Sequence, residues 1–348
     1  MKTIQLRSIS AIFKLLFLTF IIFACEKNAP EPDDEFRSGK GFFFVNEGGF
    51  NQGNGSLSYY SYDTSVVFNK IFSEVNGRIL GDIPNSVSII GEGVYIVVNN
   101  SGKIEVAERE TLVTKKTIEG LNSPRRILKV DQAKAYVSSL YSDSLIIIDI
   151  DTCMVAGSVY LGKSSEAMIL LDSRVFVANW SGGSSVSVVD ATSDTLIAVI
   201  QLRDEPCSMQ MDKNNNLWVL CSGGYMSDQY PALYCIDPDD YSIINELEFA
   251  SMSDYPTELE ISGSGDTLYY LNQNIYRVAI TDNQLPLVPF VNSFNRNLYK
   301  LGYDDDNNYI VVTDAVDYMQ RGYLYIYTRS GKILDMENAD IIPGSMSF

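Results

Sequence analysis

Seven segments of this chain start alike, and a repeat of that period restricts the possible fold more than any other feature of the sequence. The starts are Pro84, Pro124, Glu166, Pro206, Pro256, Leu298 and Pro343, spaced 40, 42, 40, 50, 42 and 45 residues apart. Each unit opens on a short apolar strand, such as Ser86 to Ile90 or Arg126 to Val130. A tight polar turn follows, as at Gly91-Glu92-Gly93 or Asp212 to Asn215. The most apolar strand comes next, as in Val94-Tyr95-Ile96-Val97-Val98 and Leu217-Trp218-Val219-Leu220. A third strand alternates over Val186 to Asp190, and a fourth closes the unit over Leu196 to Leu202.

Four strands in a unit of this length describe one blade of a β-propeller. The period-2 alternation and the Gly, Asp and Asn turns agree with it. No run of helical period reaches a useful length after residue 40. A parallel β-helix needs much shorter repeats, and a TIM barrel needs helices between its strands. The WD40 type is excluded because its Gly-His and Trp-Asp marks are missing. Residues 41–83 hold only three strands: Phe42 to Val45, Leu57 to Tyr62 and Val66 to Phe72. The chain ends on Pro343-Gly344-Ser345-Met346-Ser347-Phe348, which matches the start of a blade. These last residues are therefore expected to supply the innermost strand of the N-terminal blade. The predicted fold is an all-β, seven-bladed β-propeller of four antiparallel strands per blade, closed so that no sheet edge stays open.

Charge and residue inventory narrow the function. The formal net charge is −18, which argues against nucleic acid and against resting on an anionic membrane through basic charge. The chain has no histidine. Histidine triads, imidazole zinc sites and histidine-driven proton transfer cannot be built, and the usual charge switch near neutrality is missing. The expectation is a binding protein and not an enzyme, with no metal site.

The N-terminus reads as an export signal. Lys2, Arg7 and Lys14 precede an uncharged apolar run, Leu15 to Ala24, which is too short to span a bilayer as a mature helix. Ile22-Phe23-Ala24-Cys25 resembles a bacterial lipobox, with Cys25 as the site of lipid attachment. Residues 1–24 are thus expected to be a lipoprotein signal peptide. Residues 25–39, rich in Pro and acids, are expected to be a flexible tether. Residues 40–348 are expected to be the propeller. The charged Glu26-Lys27 with acids beyond also resembles the surface-export signal of Bacteroidota lipoproteins. The location expected is the outer membrane, lipid-anchored and facing the exterior.

Val94 to Asn99 and Val188-Val189-Asp190-Ala191-Thr192 through Ile200 resemble the YVTN (YncE-like) propeller repeat. Val45-Asn46-Glu47-Gly48-Gly49-Phe50, Val97-Val98-Asn99-Asn100-Ser101-Gly102, Asp314-Ala315-Val316-Asp317-Tyr318 and Ile341-Ile342-Pro343-Gly344 are narrower marks. Together they resemble the BtuG-type surface lipoproteins of Bacteroidota. That resemblance implies capture of cobalamin or related corrinoids and hand-over to a TonB-dependent outer-membrane transporter. Cobalamin is then a ligand, not a catalytic cofactor. Two other readings stay open: a propeller binding a glycan or protein partner in another uptake complex, and a hydrolase with a metal in the channel.

Strand polarity locates the face. In a four-stranded antiparallel blade the first strand starts where the second ends, so both sets of loops share one rim. The far rim carries short generic turns such as Asp131-Gln132 and Asp304 to Asn308. The near rim collects length variation and aromatics, as binding faces on rigid scaffolds do. It includes an insertion around Gly224 to Pro231 and the blade-start residues Arg78, Arg125, Arg126, Tyr255 and Tyr299. Candidate ligand contacts are Asn46, Asn100, Arg125, Tyr141, Trp180, Tyr225, Asn272 and Tyr318. Asp314 and Asp317 read as turn caps or as calcium ligands. Cys207 and Cys221 flank one hairpin and read as a disulfide or as buried thiols.

Overall fold

The computed structural model describes residues 40–224 and 227–348. Residues 1–39, where a signal peptide, a lipidated Cys25 and a tether are expected, lie outside the described residues. Seven antiparallel sheets follow one another along the chain. Their innermost strands are Pro343–Ser347, Pro84–Ile90, Pro124–Lys129, Met168–Leu171, Pro206–Met211, Thr257–Ile261 and Leu298–Asp304. Each touches the next, and the last touches the first, so the strands form a closed ring about a central channel.

What holds the blades together is visible as seven separate apolar clusters, each shared by two neighbouring blades. Between the first two blades, for example, Phe43, Val45, Leu57 and Phe72 pack against Val87, Val94, Ile96 and Val98. The second strand of each blade is flanked by sheet on both edges and covered on both faces, which explains its unbroken apolar sequence. Fourth strands alternate instead, as in Thr195–Gln201, because one face meets water.

The ring closes as expected. Gly41–Asn46 pairs with Ser56–Ser61 on one side and with Pro343–Ser347 on the other. Phe42 is fully buried against Val311, Leu324 and Ile326 of the last blade, and Phe348 packs on its ring at 4.8 Å.

Two blades depart from the repeat. In the first, the outer strand Val66–Phe68 stops early and a helix, Ile71–Asn76, continues the chain. The helix buries Ile71 and Phe72 in the interblade cluster and ends at Gly77, whose φ of 63° suits the left-handed cap. In the sixth, three strands are formed: Thr257–Ile261, Thr267–Asn272 and Asn274–Ala279. The fourth position is marked by a single bridge between Ile275 and Val291. The connection there contains Pro286 and Pro289, which cannot donate to a ladder.

Candidate ligand-binding face

A local irregularity repeated around the ring builds the site. The pairing of first and second strands loses register between Pro84 and Ser86, Pro124 and Ile127, Pro206 and Ser208, Thr257 and Glu260, and Leu298 and Leu301. Each break lies at the near-rim end of an innermost strand. Bulges re-aim side chains out of the regular alternation. Here they present Arg125, Arg126, Cys207, Glu258, Tyr299 and Lys300 to one cavity at the channel mouth. The near-rim loops add Trp180, Ser222, Gln273 and Tyr318, and the connection into the sixth blade adds Tyr255. The cavity measures about 370 Å³.

The charged groups in this mouth are interlocked. Arg125 donates from Nε to Glu166 Oε2 at 2.6 Å and from Nη2 to Oε1 at 3.3 Å. Its guanidinium also lies over the Trp180 ring at 5.5 Å. Lys300 Nζ donates to Glu258 at 2.5 Å, and the Tyr299 hydroxyl donates to Glu47 at 2.8 Å. Tyr299 and Tyr318 meet edge to face at 5.8 Å. Burial pushes the Glu166 carboxyl up, but Arg125 and Arg126 outweigh it and hold Glu166 below the usual carboxylate range. Burial wins at Glu47, which stands above that range despite Lys300 and Tyr299. Deeper in the channel, burial and then the neighbouring Glu258 push Glu260 up to about 8. A group that titrates near neutrality is therefore present although histidine is not. The inventory of residue types alone did not anticipate it.

Of the expected contacts, Arg125, Trp180 and Tyr318 come together at this cavity. Asn46 does not face it. Its side chain is buried, donates to Ser56 and Ser58 at 3.1 and 2.8 Å, and accepts from the Asp340 amide at 3.2 Å. Asn100 is exposed but donates to Asn51 and Asp82, holding two loops together. Asn272 donates to Asp254 and accepts from the Tyr255 amide, so it shapes the loop that carries Tyr255. Tyr141 is 72% exposed on the rim, outside the cavity lining. Tyr225 lies outside the described residues. Asp314 and Asp317 cap turns, each accepting backbone N–H groups. Cys207 and Cys221 are free thiols, and burial pushes both up and away from reactivity. Among the described residues no group of three His, Cys, Asp or Glu side chains is arranged to hold a metal ion.

Glu47, Glu166, Glu258 and Lys300 were not among the expected contacts. Their signal was available: Glu166, Glu258 and Lys300 are charges within or next to strands on the axis of the ring, and Glu47 directly follows the apolar second strand of the first blade, where a solvated face is not the explanation. Two larger cavities exist, of about 800 Å³ outside the fifth and sixth blades and about 690 Å³ on the far rim. Size favours them, but neither gathers buried ion pairs and aromatics at one point, so the mouth is the stronger site.

Solved structures share this architecture. A quinonprotein alcohol dehydrogenase-like protein from Bacteroides thetaiotaomicron is 17% identical, with a TM-score of 0.69 over 89% of this chain and 78% of that one. Kuenenia stuttgartiensis hydrazine synthase is 12% identical, with a TM-score of 0.60 over 76% of this chain and 89% of that one. At such identities the likeness is one of fold. No curated protein matches the sequence. Residues 40–330 match the family described as a domain of unknown function, DUF5074, and the chain belongs to that family.

Proposed function

We propose that this chain is a lipid-anchored surface receptor that captures cobalamin or a related corrinoid and passes it to a TonB-dependent outer-membrane transporter. The observation that carries this reading is the channel mouth, where Trp180, Tyr255, Tyr299 and Tyr318 surround the buried Arg125–Glu166 pair. A corrinoid is broad and amphipathic and bears many amides. Tyrosine and tryptophan offer such a ligand an apolar face with a polar tip. A cavity of about 370 Å³ holds one edge of it while the ring system lies across the rim.

Two further features support the reading. The described chain begins at Lys40, which lines the far-rim cavity beside Tyr62 and Asp304. Lys40 therefore stands at the rim opposite the channel mouth. The carboxylates at the mouth, Glu47, Glu166 and Glu258, are each engaged by a phenol or a cation, an arrangement suited to rigid binding rather than to proton transfer. The cobalt keeps its own ligands on this reading, since no imidazole is available to replace them. Equilibrium dialysis of the purified domain against cobalamin tests the proposal. Saturable binding at one site per chain is expected, and its absence overturns the ligand assignment.

A further inference from the structure

Arg125 and Arg126 are adjacent in sequence and differ in what they are free to do. Arg125 spends its guanidinium on Glu166 and on the Trp180 face. Arg126 lines both the mouth cavity and a second cavity of about 240 Å³ below it, walled by the innermost strands of four blades. Its side chain therefore stands in the throat that joins them. Its one ion-pair contact is Nε to Glu166 Oε1 at 3.5 Å, and that carboxylate is already held by Arg125. The buried Nε finds no hydrogen-bond acceptor, and no guanidinium N–H of Arg126 donates a hydrogen bond among the described residues. A guanidinium carries five donors, and leaving them unmade in a part-buried channel is unfavourable.

Its other charged neighbours do not fill that need. Glu258 is taken by Lys300 at 2.5 Å. Glu260 lies within the field of Arg126 across the channel, yet accepts its hydrogen bond from Gln210 at 3.1 Å. With a protonated carboxyl there, Arg126 faces no full negative charge of its own. The throat is thus a preformed place for one anionic oxygen group arriving from the mouth.

We propose that Arg126 is the receptor for an anionic group of the ligand, a phosphodiester or a carboxylate, which enters the throat while the ligand's body stays on the aromatic rim. For a corrinoid, that group is the phosphodiester of the nucleotide loop. This identification rests on the function proposed above; the anion site itself does not.

The experiment compares wild type, Arg126→Gln and Arg126→Lys with four probes: cobalamin, cobinamide, dimethyl phosphate and acetate. Cobinamide is a corrinoid without the nucleotide loop and its phosphodiester. The readout is Trp180 fluorescence, because the other tryptophan, Trp218, is buried and hydrogen-bonded to Asp212 away from the mouth. Arg126→Gln is expected to weaken cobalamin about tenfold or more, the scale of one charge-assisted bond, and to leave cobinamide within about twofold. Arg126→Lys is expected to restore part of the loss. Unchanged cobalamin affinity in Arg126→Gln, or equal losses for both corrinoids, overturns the proposal. If wild type binds neither corrinoid, the function proposed above fails, and the small anions then decide. Saturation by dimethyl phosphate or acetate that disappears in Arg126→Gln upholds the anion site and says which group it prefers. No saturation of wild type by either at ~0.1 M refutes it.

Discussion

Glu260 offers the most quantitative test of the channel's electrostatics. Its carboxyl titrates at about 8 in the folded protein, against an ordinary value of 4.5. Below pH 4.5 it is protonated in both folded and unfolded chains and contributes no pH dependence. Between 4.5 and about 8 the folded state holds a proton that the unfolded state has lost. Stability therefore falls as pH rises through this window, and the loss is complete above the folded value. Each pH step inside the window removes at most about 1.4 kcal/mol. Water in the channel reduces that ceiling, so a total of about 2–3 kcal/mol by pH 9 is expected. Glu260→Gln keeps the shape and an acceptor for Gln210 but cannot ionise. The variant should match wild type at pH 4.5 and exceed it progressively above pH 6. At about 2 °C per kcal/mol for a chain of this size, the melting temperatures should separate by about 4–6 °C at pH 9. Thermal unfolding followed by circular dichroism at pH 4.5, 6, 7.5 and 9 provides the comparison. A difference that is constant with pH, or that shrinks as pH rises, refutes the argument.

Phe42→Ala should lower stability by about 3–5 kcal/mol, because the ring is fully buried at the closing interface. Deleting residues 343–348 should destabilise the same interface, so the two changes combined should fall short of their sum in denaturant unfolding, whereas full additivity would place closure elsewhere. Trp180→Ala and Tyr255→Ala should each weaken cobalamin binding at least about tenfold by calorimetry, on the scale of a truncated aromatic anchor, while Asp266→Ala on the far rim should leave it unchanged. Asp212 is a poorer control than its far-rim position suggests, since it is buried and accepts from the backbone amides of Asn214 and Asn216, the Asn216 side-chain amide and the Trp218 indole. Cys25→Ala should release the protein from membranes into the soluble fraction, and retention after washing would contradict the lipid anchor.

The fold was legible because its signal is redundant. A one-residue error at Pro124 or Pro206 is corrected by six other units, and the observed innermost strands start at or within two residues of the expected positions. The short helix at Ile71–Asn76 and the missing outer strand of the sixth blade were not legible, because each occurs once and the repeat argues against it. The site was read in part. Strand polarity placed Arg125, Trp180 and Tyr318 together on the near rim, where they line one cavity, because that depends only on direction along the chain. It did not separate residues that face the axis from residues that tie loops. Asn46 and Asn100 share the rim with Trp180, yet their amides are consumed by Ser56, Ser58, Asn51 and Asp82. The bulges that turn Arg126, Glu258 and Lys300 into the mouth break the period-2 rule from which facing was inferred.

The central claim is that a corrinoid sits on the channel mouth, and the structure of the protein crystallised with saturating cobalamin tests it most directly. The account predicts a corrin ring lying across the near rim, in contact with Trp180 and Tyr318, with its phosphodiester directed at Arg126. Cobalamin seated instead in the cavity outside the fifth and sixth blades, or a mouth left empty at saturation, would contradict it.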